Sequence, residues 1–314
     1  MKTIALEEHL LPKDVAAAVG HGALPPGLAD PLDDLGQGRL DVMDAAGIDV
    51  QVLSLVGHGV QELEPARSVS LSREVNDRMA AAVAAHPDRF RAFAALPMSD
   101  SVAAAKELRR AVGDLGFVGT MIHGQTNGVF LDDPSVVPVL EAVQDLDVPI
   151  YLHPAEPPPA VRQAYFSGLE PAVAHVLATA GWGWHAECGL HVLRMAVSGT
   201  FDRFPGLQVV VGHMGENLPF SLARADERLS PVTGLARSVG EIVREHVHIT
   251  TAGYVTDPPL LCALMVFGAD RILFSVDHPF SDSVQATDFL RSAPISPTDR
   301  EKIAHGNAEQ LLRL

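Results

Sequence analysis

The sequence predicts a closed parallel (β/α)8 TIM barrel, and three observations carry that prediction. Eight short apolar runs rich in β-forming residues alternate with longer stretches that mostly carry helical patterning. The chain has 314 residues, long for an ordinary domain and typical of one barrel. The runner-up, an open doubly wound sheet, would be signalled by Gly-x-Gly-x-x-Gly after its first strand, and none is present. With no internal repeat and no second-domain boundary, residues 1–314 are expected to form a single domain.

The strands fall, in order, at residues 3–9, 50–56, 90–97, 118–123, 148–153, 209–213, 246–252 and 272–277. Helical pattern begins at 40–46 and resumes at 68–85, where His86-Pro87 acts as a stop. It continues at 101–115, 135–146, 187–199 and 256–267, and a last helix at 300–312 follows the eighth strand. Two connections are unusually long. Residues 20–38, after the first strand, are rich in Gly, Pro and Asp. Residues 154–184, after the fifth, contain Glu156-Pro157-Pro158-Pro159. Loops that follow barrel strands line the C-terminal mouth, so both read as lid or subunit-contact segments, or else as plain surface insertions.

A formal charge of −16 argues against nucleic acid and anionic membrane surfaces. The lysines are Lys2, Lys13, Lys106 and Lys302, with no basic patch. Cys188 and Cys262 are too few for a disulfide framework and read as small core residues in helices. No segment reaches transmembrane length, and the first apolar stretch is short and runs into acids, unlike a signal peptide. A cytoplasmic protein is expected.

Chemistry concentrates at the strand ends. The first strand finishes Glu7-Glu8-His9; residues two apart share a face, so Glu7 and His9 look one way and Glu8 the other. Alone, this is a charged strand tip. However, strand five ends Tyr151-Leu152-His153-Pro154, strand six Gly212-His213-Met214-Gly215-Glu216, and strand eight Ser275-Val276-Asp277-His278. In a barrel all of these open on one mouth. Glu7, His9, His153 and Asp277 supply two oxygen and two nitrogen ligands, a set suited to one Zn²⁺ or Mn²⁺. A second metal would call for a bridging carboxylate or modified lysine, and strands three to seven hold no lysine. His213 is left as an acid, base or hydrogen-bond donor, and Glu216 either orients its ring or caps the next helix.

Over nearly its whole length the chain resembles the amidohydrolase superfamily, in the branch related to aminocarboxymuconate semialdehyde decarboxylase. The resemblance rests on Ala5-Leu6-Glu7-Glu8-His9, Met43-Asp44-Ala45-Ala46-Gly47-Ile48-Asp49, Gly59-Val60-Gln61, Phe93-Ala94-Ala95-Leu96-Pro97 and Tyr151-Leu152-His153-Pro154. It continues through Phe201-Asp202-Arg203-Phe204-Pro205, Gly212-His213-Met214-Gly215-Glu216, Phe274-Ser275-Val276-Asp277 and Gly306-Asn307-Ala308. Within the branch the chain looks most like γ-resorcylate and 2,3-dihydroxybenzoate decarboxylases. Hydrolytic relatives typically carry His-x-His on strand one, where this chain has Glu7-x-His9. An anionic ligand lowers the metal's Lewis acidity, which suits holding a chelating anion better than generating hydroxide. Asp277, anionic in both groups, leaves that contrast suggestive.

The resemblance implies a nonoxidative decarboxylase acting on a small aromatic carboxylate with a neighbouring phenolic hydroxyl. Asp277 would carry the proton to the ring carbon, helped by His213 and Glu216, while Glu8 would be structural. A homodimer or homotetramer is implied as well. The chain departs from the pattern at His123, where Asn is expected, and at His58, where Ser or Pro is usual. Either could face the substrate or only bond at the rim. Arg224 could meet a substrate carboxylate or a neighbouring subunit, or pair with an acid on its own helix. His185, Glu187 and His191 read as pocket wall or structural pair, and Tyr165, Phe166, Trp182 and Trp184 are the candidate stacking rings near the mouth. Two readings stay open beside the decarboxylase. One is a metal-dependent hydrolase of a lactone or related small carboxylic acid, or a hydratase, using the same site. The other is a catalytically silent barrel that binds a ligand.

Overall fold

The apolar runs pair as parallel strands in the computed structural model, which describes residues 1–20, 24–57 and 59–314. These are β1 (Ile4–Leu10), β2 (Val50–Leu55), β3 (Phe90–Ala92), β4 (Thr120–His123), β5 (Ile150–His153), β6 (Val209–Val211), β7 (Val247–Thr250) and β8 (Ile272–Leu273). They form two ladders, β1-β2-β3 and β4-β5-β6-β7-β8. Single parallel bridges span the two seams, Ala94 to Thr120 and Glu8 to His278. Backbone bonds reinforce them: Ala94 N–H to the Gly119 carbonyl at 2.9 Å, and His9 N–H to the His278 carbonyl at 2.8 Å. The architecture is the TIM barrel, and every strand opens its C-terminal end on one rim. β3 and β8 are shorter than their sequence runs, and beyond each the chain crosses a seam on isolated bonds.

The barrel interior is one buried cluster containing Ile4, Leu6, Val52, Met121, Tyr151 and Val210; a larger one fills the layer between strands and helices. Ala308 and Leu312, on the last helix (Asn307–Leu312), join the inner cluster beside the strand starts. Strict alternation from Ile4 and Leu6 would carry Glu8 inward. Instead, the register against β2 slips between Ala5 and Glu8. The irregularity swings Glu7 and His9 into the barrel and sends Glu8 outward to Gln51.

Proline starts recur in the long fifth connection, which folds into two short helices, Pro159–Phe166 and Pro171–Ala178. The following helix, Gly183–Val197, begins before its sequence signal at 187. Among the described residues no helix is long and apolar enough to cross a membrane.

Candidate active site

β1 delivers Glu7 and His9, β5 delivers His153, and the chain leaving β8 delivers Asp277. Their ligand atoms lie within 4.8 Å of one another. His153 Nε2 is 3.0 Å from Glu7 Oε1, and His9 Nε2 is 3.3 Å from Asp277 Oδ1. The opposite ends of Glu7, His153 and His9 are held. Glu7 Oε2 accepts from the Tyr151 hydroxyl, itself 2.9 Å from Thr250 Oγ1. His153 Nδ1 lies 2.7 Å from the Pro154 carbonyl, which fixes the tautomer with Nε2 facing the cluster. His9 Nδ1 lies 3.3 Å from Ser54 Oγ. Glu7 Oε1 and His9 Nε2 are sealed from solvent and have no hydrogen bond among the described residues. Buried polar atoms are rarely left so, and this donor set fits a divalent cation.

The electrostatics follow from crowding. Burial pushes the Glu7 carboxyl up, but His213, His153 and His9 outweigh it and hold the group well below the usual range. Burial opposes charge on His9, yet Asp277 and Glu7 raise it to about 9. Asp277 is lowered: the pull of His213 and His9 exceeds the cost of burial. It sits at φ 73°, a left-handed backbone that few non-glycine residues adopt. Gly212 makes room beneath the cluster, since a Cβ there would lie 2.6 Å from Glu7 Oε2.

A second cluster adjoins the first. Glu216 Oε1 is 2.7 Å from His213 Nδ1, and Glu216 Oε2 is 2.7 Å from His185 Nδ1. The turn 213–217 that carries His213 and Glu216 runs entirely at positive φ, from 48° at His213 to 85° at Gly215. His213 Nε2 faces the first cluster, 3.9 Å from Asp277 Oδ2. Above both lies a cavity of about 1020 Å³ whose lining includes His153, Trp184, His185, His213, Tyr254 and Asp277.

Some sequence candidates lie elsewhere. Arg224 is exposed on the helix Leu218–Thr233, paired with Glu227 at 3.0 Å, and does not line the cavity: its position faces solvent, where an i,i+3 acid is the available partner. Tyr165 and Trp182 are exposed away from the cavity, and of the four candidate rings only Trp184 lines it. His123 sits opposite His153 in the β4–β5 ladder, rings 4.7 Å apart, but faces a water-sized cleft of about 10 Å³ beside the large cavity. His58 lies outside the described residues. His185 does form cavity wall. Glu187 and His191 do not pair; His191 Nε2 instead accepts the Leu131 N–H at 2.8 Å.

Sequence reasoning passed over Tyr151, Gln61 and Phe280. Tyr151 was findable, being two residues before His153 on the same strand face. Gln61 clamps the His123 peptide in both directions, at 2.8 and 2.9 Å, a contact no local pattern announces. Phe280 follows Asp277 closely, lines the cavity and packs edge-on to His9 at 5.8 Å.

Barrel, rim and convergent carboxylate–imidazole ligands together define a metal-dependent barrel enzyme. Residues 9–314 match the amidohydrolase family, and the chain belongs to it. It is 38% identical to the γ-resorcylate decarboxylase of Polaromonas sp. (strain JS666), covering 99% of this chain and 98% of that one. The crystal structure of 2,6-dihydroxybenzoate decarboxylase complexed with 2,6-dihydroxybenzoate superposes with TM-score 0.91 at 37% identity, covering 100% of both chains. A dihydroxybenzoic acid decarboxylase from Polaromonas sp. JS666, with bound manganese and the inhibitor 2-nitroresorcinol, gives TM-score 0.92 at 37% identity, covering 100% of this chain and 97% of that one.

Proposed function

We propose that this chain is a metal-dependent nonoxidative decarboxylase of a small hydroxylated aromatic carboxylic acid, a carbon–carbon lyase. The observation that carries the reading is the convergence of Glu7, His9, His153 and Asp277, with two orphaned ligand atoms, on the floor of the large cavity. Full-length similarity to decarboxylases of dihydroxybenzoates supports it. A divalent ion held by these four residues, manganese by preference over zinc given the relative that carries it, would supply Lewis-acid grip on the carboxylate and its neighbouring hydroxyl.

The residues divide the remaining work. Net turnover adds one proton to the ring carbon and releases CO₂ from it. We assign the delivery to Asp277, whose Oδ2 faces His213. Asp277 enters the cycle ionised, since its carboxyl is held below the usual range. It would therefore gain the proton on substrate binding, with the substrate hydroxyl as the source. Glu216 fixes the His213 ring by engaging Nδ1, leaving Nε2 to exchange protons or bond the substrate.

We further propose that the chain is one barrel domain over residues 1–314, cytoplasmic, and a homodimer or homotetramer. Tyr165, Val173, Val176 and Trp182 on the fifth connection are each more than half exposed, as are Phe220 and Met265 on nearby helices. If these side chains form one patch, a second copy of the chain would cover it. Arg224, one helical turn from Phe220, would meet substrate only in that second copy's cavity. Light scattering measures the assembly. The function is tested by incubating the manganese-loaded protein with a panel of hydroxybenzoates and measuring CO₂. Release from 2,6-dihydroxybenzoate or a close isomer is expected. Release from none of them, with lactone opening instead, would overturn the assignment in favour of a hydrolase.

A further inference from the structure

We propose that Glu8, backed by Gln51 and Arg39, is a positioning residue for the metal centre. It fixes the β1–β8 seam from which Glu7, His9 and Asp277 project. The inference rests on the reading of those residues as metal ligands, and not on the identity of the substrate.

The seam needs such a device because its ladder is nearly absent. β8 ends at Leu273, and beyond it two backbone bonds, Asp277 N–H to the Glu7 carbonyl at 3.1 Å and His9 N–H to the His278 carbonyl at 2.8 Å, tie the chain to β1. Side chains supply bonds that a ladder would otherwise make. Ser275 Oγ accepts the Glu7 N–H at 2.6 Å, and Glu8 Oε1 accepts the Val276 N–H at 3.0 Å. Val276 directly precedes Asp277, so that bond holds the chain where it enters its left-handed turn. From the other carboxylate oxygen a chain of bonds runs back to β1. Gln51 Nε2 donates to Glu8 Oε2 at 2.9 Å, Arg39 Nη1 donates to Gln51 Oε1 at 3.3 Å, and Arg39 Nη2 donates to the His9 carbonyl at 2.5 Å. The path thus starts beside one ligand, at Val276, and ends on the backbone of another, His9. Glu8 and Gln51 are 0% exposed and Arg39 is 1% exposed, so water competes for none of these bonds.

A network that merely stabilised the fold would look similar, and the experiment must separate the two. Mn²⁺ alone is titrated into the full-length metal-free protein by calorimetry, with thermal unfolding of the same samples alongside. Glu8→Met should weaken Mn²⁺ binding about 10- to 100-fold, the usual loss when a group supporting a ligand is removed. Glu8→Gln keeps an oxygen for the Val276 N–H and should stay within about threefold of wild type. Glu8→Met also strands the buried Arg39 charge and could fail to fold. The double variant E8M/R39M removes both charges and should recover the melting temperature while keeping the weakened binding. Wild-type affinity in E8M/R39M, or in E8M itself, would overturn the proposal. Absence of stoichiometric Mn²⁺ binding in the wild type would overturn the metal-site reading as well, and is seen before any variant is made.

Discussion

Two clusters of imidazole and carboxylate stand side by side at the mouth, and each gathers its candidate ligand atoms within 4.8 Å. By composition either could hold a metal; by bonding only one is arranged for it. In the cluster of His185, His213 and Glu216, each carboxylate oxygen is occupied by an imidazole Nδ1 at 2.7 Å. In the cluster of Glu7, His9, His153 and Asp277, outer atoms of the first three are held by Tyr151, Ser54 and Pro154, while Glu7 Oε1 and His9 Nε2 face only other members of the cluster and make no hydrogen bond among the described residues. Ligand-type residues in proximity are therefore weak grounds for a metal. Polar atoms without hydrogen bonds directed at a common point, with the far side of three of the four residues already fixed, are much stronger grounds.

That contrast predicts different failures. Asp277→Asn should lower turnover by about a thousandfold or more while some metal is retained, because it removes the proton carrier and only weakens one ligand. Normal CO₂ release in that variant would remove Asp277 from the chemistry. His153→Gln should instead lose the metal. Glu216→Gln should behave as a member of the second cluster, with turnover down about a hundredfold and manganese still stoichiometric by elemental analysis. Loss of metal from Glu216→Gln would erase the distinction between the clusters. His185→Gln, one step further from the reacting atoms, should cost about tenfold or less in kcat, again with full metal content.

The same contrast explains what could be read from the chain. Glu7, His9, His153, His213 and Asp277 were legible because a parallel barrel converts sequence position into spatial position: the end of any strand lies on the rim. The alternation of runs was enough for that, although β3 and β8 proved short. Residues that reach the site by other routes were less legible, His185 being read only as pocket wall or structural pair. His185 arrives on a helix after a long connection whose path no periodicity fixes. The facing of Glu7 and Glu8 came out as the two-residue spacing predicted, yet the register slip between Ala5 and Glu8 that produces it was invisible. Gln51 and Arg39 matter through packing between strand and helix layers, which depends on neighbours distant in sequence. Arg224 stayed open between a substrate contact, a subunit contact and an ion pair on its own helix because charge type can be read in a sequence and solvent exposure cannot; the exposed pair with Glu227 takes the last.

Glu187 sharpens the comparison from a third direction. Its Oε1 is buried and without a hydrogen bond, as Glu7 Oε1 is, but among the described residues it belongs to no group of three or more converging ligand atoms. With no cation to answer it, the orphaned oxygen should appear as a cost to folding. Burial, with a smaller push from Glu62, raises the Glu187 carboxyl to about 7, against the Gln125 backbone bond that lowers it. The folded state therefore holds this proton more tightly than the unfolded chain, whose carboxyl titrates near 4.5. Glu187 costs nothing below that value, and stability declines as pH rises from there through 7. Glu187→Gln keeps an oxygen for the Gln125 N–H and removes the titration. Its melting temperature should match wild type near pH 4.5 and exceed it by a few degrees at pH 8, a gain of roughly 1–2 kcal/mol, with manganese content unchanged. Melting curves in matched buffers across that range decide the matter. A gap between variant and wild type that does not widen with pH would mean that Glu187 stays charged without penalty, and its bare oxygen would then need a partner of its own.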